Sequence, residues 1–325
     1  MVSARTIVGR FVKGYRRTGV FAITTRCNCR CQMCNMYENE PVDMQYSDVV
    51  KILDFMAENK FLLVYFTGGE PSLHPDLPRI VRYADNLGLI TSLTTNGTIP
   101  ARTLEELKEA RLNTLSISID SWDPAVAQEV RKHRGILEKQ LMAFENARKL
   151  EIRTYSLTYL GTHLNPDNIE KMVSYVNSHL DLPFGFCYPV ITDTNTYLLG
   201  KSAPMHSEQT MKEIVERLLA LKNKGHRIVN MTVSMEEIVR FLSNQPLRFP
   251  CKGGEHVFYI DWFGNFYPCF MKSKLFNPLE GDEPHFLKNV GCNDCLIDCF
   301  REPSLLAYLS SPWFIKEIRS FQLAN

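Results

Sequence analysis

From Val20 to about Ile191 the chain alternates short apolar, β-branched runs with longer stretches of helical periodicity. The strand-like runs are Val20–Thr25, Phe61–Phe66, Leu89–Thr94, Thr114–Ile119, Arg153–Leu160 and Phe184–Ile191. Helical patterns fall near Ser47–Asn59, Pro75–Leu87, Pro100–Ala110, Ile136–Leu150 and Pro166–His179, and Asn165 reads as an N-cap ahead of a first-turn proline. Such alternation predicts an α/β fold with a parallel sheet, because parallel neighbours need long right-handed crossovers, which helices supply. Six units favour a barrel or partial barrel over a flat sheet.

The unusual residues gather just after the strands. Cys27–Cys34 follows the first, Thr67-Gly68-Gly69-Glu70-Pro71 the second and Thr95-Asn96-Gly97 the third, while Ser118 and Asp120 end the fourth. Ligands of barrels and open α/β sheets bind at the carboxyl ends of strands, so four motifs converge on one rim. Each has a plain reading by itself: a glycine loop, a turn dipeptide, a paired Glu70, or Asp120 capping the helix after Trp122. Adjacent glycines also let backbone approach a ligand with no Cβ in the way.

Cys27, Cys31 and Cys34 form a Cys-x3-Cys-x2-Cys triad, with Cys29 breaking the spacing as a spectator. Thiolates select iron–sulfur clusters, zinc or copper(I). A cubane cluster normally takes four, so a triad leaves one iron open to substrate. Structural zinc is the competing reading, although zinc sites favour paired Cys-x2-Cys units and no second pair lies near.

At 325 residues the chain is about two domains long, and 45% hydrophobic with 22% charged residues describes an ordinary globular protein. No apolar run approaches the roughly 18 residues of a membrane span, and no secretory signal is evident. Ten clustered cysteines in a chain of this size indicate metal ligands in a reducing, cytoplasmic setting. Net charge is only +1, yet residues 1–37 carry seven basic residues, Arg5 to Arg30, and no acidic one. The basic segment 1–18 suits a helix capping the barrel, or peripheral contact with an anionic membrane. Gly9 and Gly14 weaken any helix there.

Together these residues resemble the radical S-adenosylmethionine (SAM) superfamily. The resemblance rests on the cysteine triad, the Gly68–Pro71 stretch GGEP, Asn96 and Ser118, and covers about two thirds of the chain. It implies a partial (β/α)6 parallel barrel with a [4Fe-4S] cluster on Cys27, Cys31 and Cys34, its open iron chelated by SAM. Reduction then cleaves SAM to methionine and a 5′-deoxyadenosyl radical that abstracts hydrogen from a substrate. Gly68, Gly69 and Glu70 would line the methionyl end, and Thr95, Asn96 and Ser118 the ribose or carboxylate. Met33 stands where many members have an aromatic residue near adenine. Arg134 is a further candidate for the SAM carboxylate. An external one-electron reductant, flavodoxin- or ferredoxin-like, is implied.

The last third holds Cys251, twelve residues, Gly264, four residues and Cys269, then Cys292-x2-Cys295-x3-Cys299. Phe258–Phe263 and Phe266–Tyr267 flank Gly264-Asn265, read as a two-residue hairpin turn that draws Cys251 and Cys269 together. These five cysteines resemble the SPASM/Twitch extension, which binds auxiliary clusters. The full form has seven ligand cysteines, so one auxiliary [4Fe-4S] cluster is implied, on Cys251, Cys269 and Cys295 with Cys292 or Cys299. Zinc remains the alternative there. The expected domains are the 1–18 segment, a 19–235 core with linker helices, and a small 236–325 cysteine-rich domain. Cys187 reads as a buried thiol of the sixth strand, and Tyr188, Asp193 and Tyr197 as substrate contacts or plain loop. The substrate class is open: small molecule, lipid or peptide. A non-catalytic iron–sulfur or zinc protein and an RNA-modifying enzyme are the alternatives, though nucleic acid is disfavoured without an accompanying basic domain.

Overall fold

The computed structural model describes residues 9–189 and 205–308. Asp193 and Tyr197 lie outside them. Six strands, β1 (Arg17–Thr24), β2 (Phe61–Gly68), β3 (Ile90–Thr95), β4 (Thr114–Ser118), β5 (Thr154–Tyr159) and β6 (Phe184–Cys187), run parallel in sequence order. Between successive strands lie α1 (Tyr46–Glu58), α2 (Leu77–Asn86), α3 (Ala101–Glu109), α4 (Pro124–Arg131), α5 (Ile136–Lys149) and α6 (Ile169–Ser174). Helices α7 (Glu208–Asn223) and α8 (Thr232–Leu242) follow β6. Strands β7 (Val257–Ile260) and β8 (Phe266–Tyr267) complete an eight-stranded sheet of order β6-β5-β4-β3-β2-β1-β7-β8. Helix α9 (Asp298–Ser304) comes last. No pairing among the described residues joins β6 to β8, so the barrel is partial.

β7 lies parallel to β1 and on its other side from β2, with Gly19 opposite Phe258. β1 therefore sits inside the sheet, and its period-2 alternation feeds two cores. Phe21 and Ile23 join the helix-facing core. Val20 and Ala22 join an interior cluster with Tyr259, Phe270, Ile297 and Phe300 from the cysteine-rich part. Burying one such Phe contributes roughly 2–3 kcal/mol. Phe55 of α1, Phe266, Phe276 and Phe286 pack edge to face, tilted or stacked, tying the hairpin to the barrel wall.

Three local expectations give way to tighter chemistry. The hairpin turn is a five-residue loop, Asp261 to Asn265, not the pair Gly264-Asn265. Asp261 organises it: its carboxylate accepts from the Phe263 and Asn265 N–H groups at 2.9 and 3.0 Å and from the Tyr267 hydroxyl. Asn165 caps a turn rather than a helix, its side chain accepting from the Asp167 and Asn168 N–H groups, and α6 starts at Ile169. The short helix α4 is additional; Asp123, not Asp120, is its N-cap, accepting from the Ala125 N–H at 2.8 Å.

Two basic residues near the amino end, Arg10 and Arg17, turn inward, whereas Lys13, Arg26 and Arg30 are exposed. Arg10 donates to the Gly88 carbonyl and stacks on Tyr15. Arg17 donates to the Asn59 and Glu255 carbonyls and lies over the Phe286 ring. No described helix is long and apolar enough to cross a membrane.

Candidate functional site

One cavity of about 640 Å³ opens at the carboxyl ends of the strands and runs down the barrel. Its wall includes Cys27, Cys31, Met33, Cys34, Gly68, Gly69, Glu70, Thr95, Asn96 and Ser118. Ten of the eleven residues that the sequence links to the first cluster and to SAM thus share one space, Arg134 being the exception.

The rim is built by side chains that tie neighbouring strand ends together. Buried Glu70 accepts from the Thr95 hydroxyl and the Asn96 N–H, both at 2.7 Å, and from the Ser72 N–H. Burial pushes its carboxyl up while these three donors pull it down. The Asn96 amide donates onward to Asn28 Oδ1 at 2.9 Å and Cys29 Sγ at 3.3 Å. The cysteine loop is thereby hydrogen-bonded to the end of β3 and, through Glu70, to the end of β2.

Gly68 and Gly69 serve this construction for a different reason from the one the sequence suggests. A Cβ on Gly68 would sit 2.2 Å from the Thr24 carbonyl oxygen, and one on Gly69 2.3 Å from that of Arg26. What needs the glycines is the approach of β2's end to the start of the cysteine loop, sealed by Gly69 N–H to Thr24 O and Glu70 N–H to Arg26 O. Both glycines still line the cavity.

Arg131 is the residue that sequence reasoning missed. Its guanidinium forms a buried two-pronged pair with Asp120, at 2.5 and 3.1 Å, and reaches Cys31 Sγ at 3.8 Å. Asp120 also accepts the Tyr159 N–H at 3.0 Å. Cys31 is pulled down by its hydrogen bond with Cys29 and by the Arg131 charge, against burial. Arg134 instead is exposed and borders a separate shallow hollow with Pro124 and Glu138. The signal was present in the Asp123-Pro124 helix start, which puts Arg131 in the last turn facing the thiols.

Burial pushes Cys27 up to about 12 and Cys34 to about 11, so filling this site with metal releases protons. The Cys29 and Met36 N–H groups, two residues further on, donate to Cys27 and Cys34. N–H groups aimed at sulfur favour its thiolate form and tune a bound cluster. Among the described residues no three donors stand at ligand spacing without a metal. The donor set, the cradle and the open cavity nevertheless fit a cluster with one free corner.

A second cysteine group lies apart. Burial and then the charges of their cysteine neighbours push up Cys269, beside Cys295, Cys251 and Cys292, and Cys295, beside Cys251 and Cys292. Cys251 and Cys292 exchange backbone hydrogen bonds across a bridge. Cys269, Cys292 and Cys295 each accept the N–H two residues on. None of the four lines the cavity, whereas Cys299 does, beside Cys187, Asp298 and Glu302.

Residues 21–176 match the model of the Radical SAM superfamily, and over this part the chain belongs to that superfamily. Its cofactors are a [4Fe-4S] cluster and SAM. The GTP 3′,8-cyclase of Chlorobaculum tepidum is 32% identical over 164 residues, 49% of this chain and 49% of that protein. The tungsten-containing aldehyde ferredoxin oxidoreductase cofactor-modifying protein of Pyrococcus furiosus is 27% identical over 265 residues, 76% of this chain and 69% of that one. The chain spans about half the length of the cyclases it matches. Streptococcus suis SuiB bound to S-adenosylmethionine superposes with TM-score 0.66 at 16% identity, covering 94% of this chain and 72% of that one. The anSMEcpe protein with bound AdoMet and Kp18Cys peptide gives 0.61 at 15%, covering 94% and 83%. At these identities the likeness is one of fold.

Proposed function

We propose that the chain is a radical SAM enzyme. It binds a [4Fe-4S] cluster through Cys27, Cys31 and Cys34, and SAM along Met33, Gly68, Gly69, Glu70, Thr95, Asn96 and Ser118. The observation that carries this reading is the single cavity shared by all ten residues. When bound, cluster and SAM supply a 5′-deoxyadenosyl radical able to abstract hydrogen from a substrate. The chain's part is to orient both reactants and keep water out, with the Arg131–Asp120 pair fixing the position of Cys31.

Cys251, Cys269, Cys292 and Cys295 hold an auxiliary [4Fe-4S] cluster on this reading, with Cys299 left outside it. What supports it is their mutual proximity and the N–H donors aimed at three of the sulfurs. Four closed thiolates also suit structural zinc, which metal analysis separates: about eight irons per chain against about four with one zinc. An external one-electron donor, flavodoxin- or ferredoxin-like, supplies the electron. The inward contacts of Arg10 and Arg17 support residues 9–18, the described part of the basic segment, as a barrel cap over a membrane anchor. The whole protein's substrate follows from none of the matched names.

The test is 5′-deoxyadenosine release by anaerobically reconstituted protein given dithionite and SAM. Cys31→Ala should abolish it and Arg134→Ala should leave it unchanged. Intact SAM beside a reduced cluster would overturn the proposal.

A further inference from the structure

The cavity wall facing away from the thiol rim carries chemistry that neither cluster nor SAM uses. Asp298 and Glu302 stand four apart on α9 and both line the cavity, so their carboxylates are neighbours on one helix face. Asp298 accepts the Tyr188 N–H, and Glu302 the Met231 N–H at 2.9 Å. Burial pushes both carboxyls up, while the Lys222 charge pulls Glu302 and the Arg301 charge pulls Asp298 the other way. Tyr65, Tyr155 and Tyr188 line the same wall. Burial pushes each phenol up, and the Glu302 charge adds to this at Tyr65 and Tyr155 and the Asp298 charge at Tyr188.

Buried acids among aromatic rings suit an organic cation, whose charge draws the carboxylates into their ionised form while the ring faces hold its body. A separate observation points to a ligand. Ser92 Oγ lines the cavity from the middle of β3, is only 3% exposed, and has no hydrogen-bond partner. A buried hydroxyl left unpaired costs about 1–3 kcal/mol, and a ligand group reaching down the barrel would satisfy it.

The same wall disfavours a different class. The described cavity wall has two arginines, Arg131 and Arg153, against Glu70, Asp298 and Glu302. Arg131 is already matched by Asp120. A triphosphate entering this space would meet three acidic side chains and only two arginines, one of them already matched.

We propose that the substrate presents an organic ammonium group, on a largely apolar body, to the Asp298–Glu302 wall. The inference rests on the radical SAM reading of the cavity and narrows it to a substrate class. Equilibrium dialysis of the anaerobically reconstituted full chain with SAM bound tests it, using phenethylamine, 2-phenylethanol, 3-phenylpropanoate and GTP as probes. Phenethylamine should bind at least tenfold tighter than the alcohol, with the carboxylate and GTP weaker still. Glu302→Gln and Asp298→Asn should each remove most of that preference, while Glu216→Gln on the exposed face of α7 should not. Iron content and SAM affinity show that each variant is folded; if Asp298→Asn is not, Glu302→Gln carries the test. Amine and alcohol binding alike, GTP binding tightest, or a loss of SAM affinity in Glu302→Gln as large as the loss of amine affinity would overturn the proposal. Release of 5′-deoxyadenosine reports separately on the radical SAM reading, so the two can fail independently.

Discussion

Replacing Glu302 with Gln should stabilise the folded chain, and the gain should depend on pH. Burial pushes the Glu302 carboxyl up to about 7, against the Met231 N–H and the Lys222 charge, and the residue lines the cavity. The unfolded chain releases the same proton near 4.5. Because the folded value is the higher one, ionisation favours unfolding: stability is full below 4.5, falls through the window from 4.5 to 7, and is flat above it. At about 1.4 kcal/mol per pH unit, the penalty approaches about 3 kcal/mol at pH 8.5 and is about 1 kcal/mol at pH 5.5. Gln removes the ionisation and keeps an oxygen for the Met231 N–H. At roughly 1–3 °C per kcal/mol for a chain of this length, the midpoint should rise roughly 5 °C at pH 8.5 and roughly 2 °C at pH 5.5. Thermal unfolding of both reconstituted proteins, run side by side at the two pH values with iron assayed before and after, measures this. An equal rise at both pH values, or a less stable variant at pH 8.5, would refute the burial argument.

Other expectations follow from the same contacts. Gly69→Ala forces a Cβ against two backbone carbonyls that have no room to yield. It should cost about 3 kcal/mol or more and lower the iron retained on reconstitution, whereas Gly291→Ala, whose Cβ would meet only Pro250 at 3.9 Å, should change neither by much. Arg131→Met leaves Asp120 buried and unpaired and should cost about 3–5 kcal/mol in urea denaturation; Arg102→Met, at an exposed pair, should cost under about 1 kcal/mol. Cys299→Ser should keep about eight irons while Cys292→Ala keeps about four, and the reverse pattern would make Cys299 the fourth ligand.

The strands were legible because each is a short apolar run ended by residues that have no business in a core, such as Cys27, Glu70 and Asn96. The rim was legible for the same reason. What those residues do was less so: Glu70 and Asn96 spend most of their hydrogen bonds tying strand ends to the cysteine loop, which no local pattern reveals. Arg131 and Arg134 look alike in sequence; only the end of α4 decides which one faces the thiols. The choice between Cys292 and Cys299 was equally hidden, since it depends on α9 turning Cys299 toward the cavity. β7's place beside β1 joins residues more than two hundred positions apart, and pattern reading carries no information about such a pairing.

That pairing bears on how the protein can be divided. Cutting the chain ahead of β7 would strip β1 of a neighbour and bare a row of backbone donors and acceptors along the strand that launches the triad loop. A shortened barrel would therefore tend to associate through that exposed ladder rather than persist as a tidy monomer. Anyone grafting a different cysteine-rich tail onto this scaffold would need to bring a replacement for Val257–Ile260 along with it.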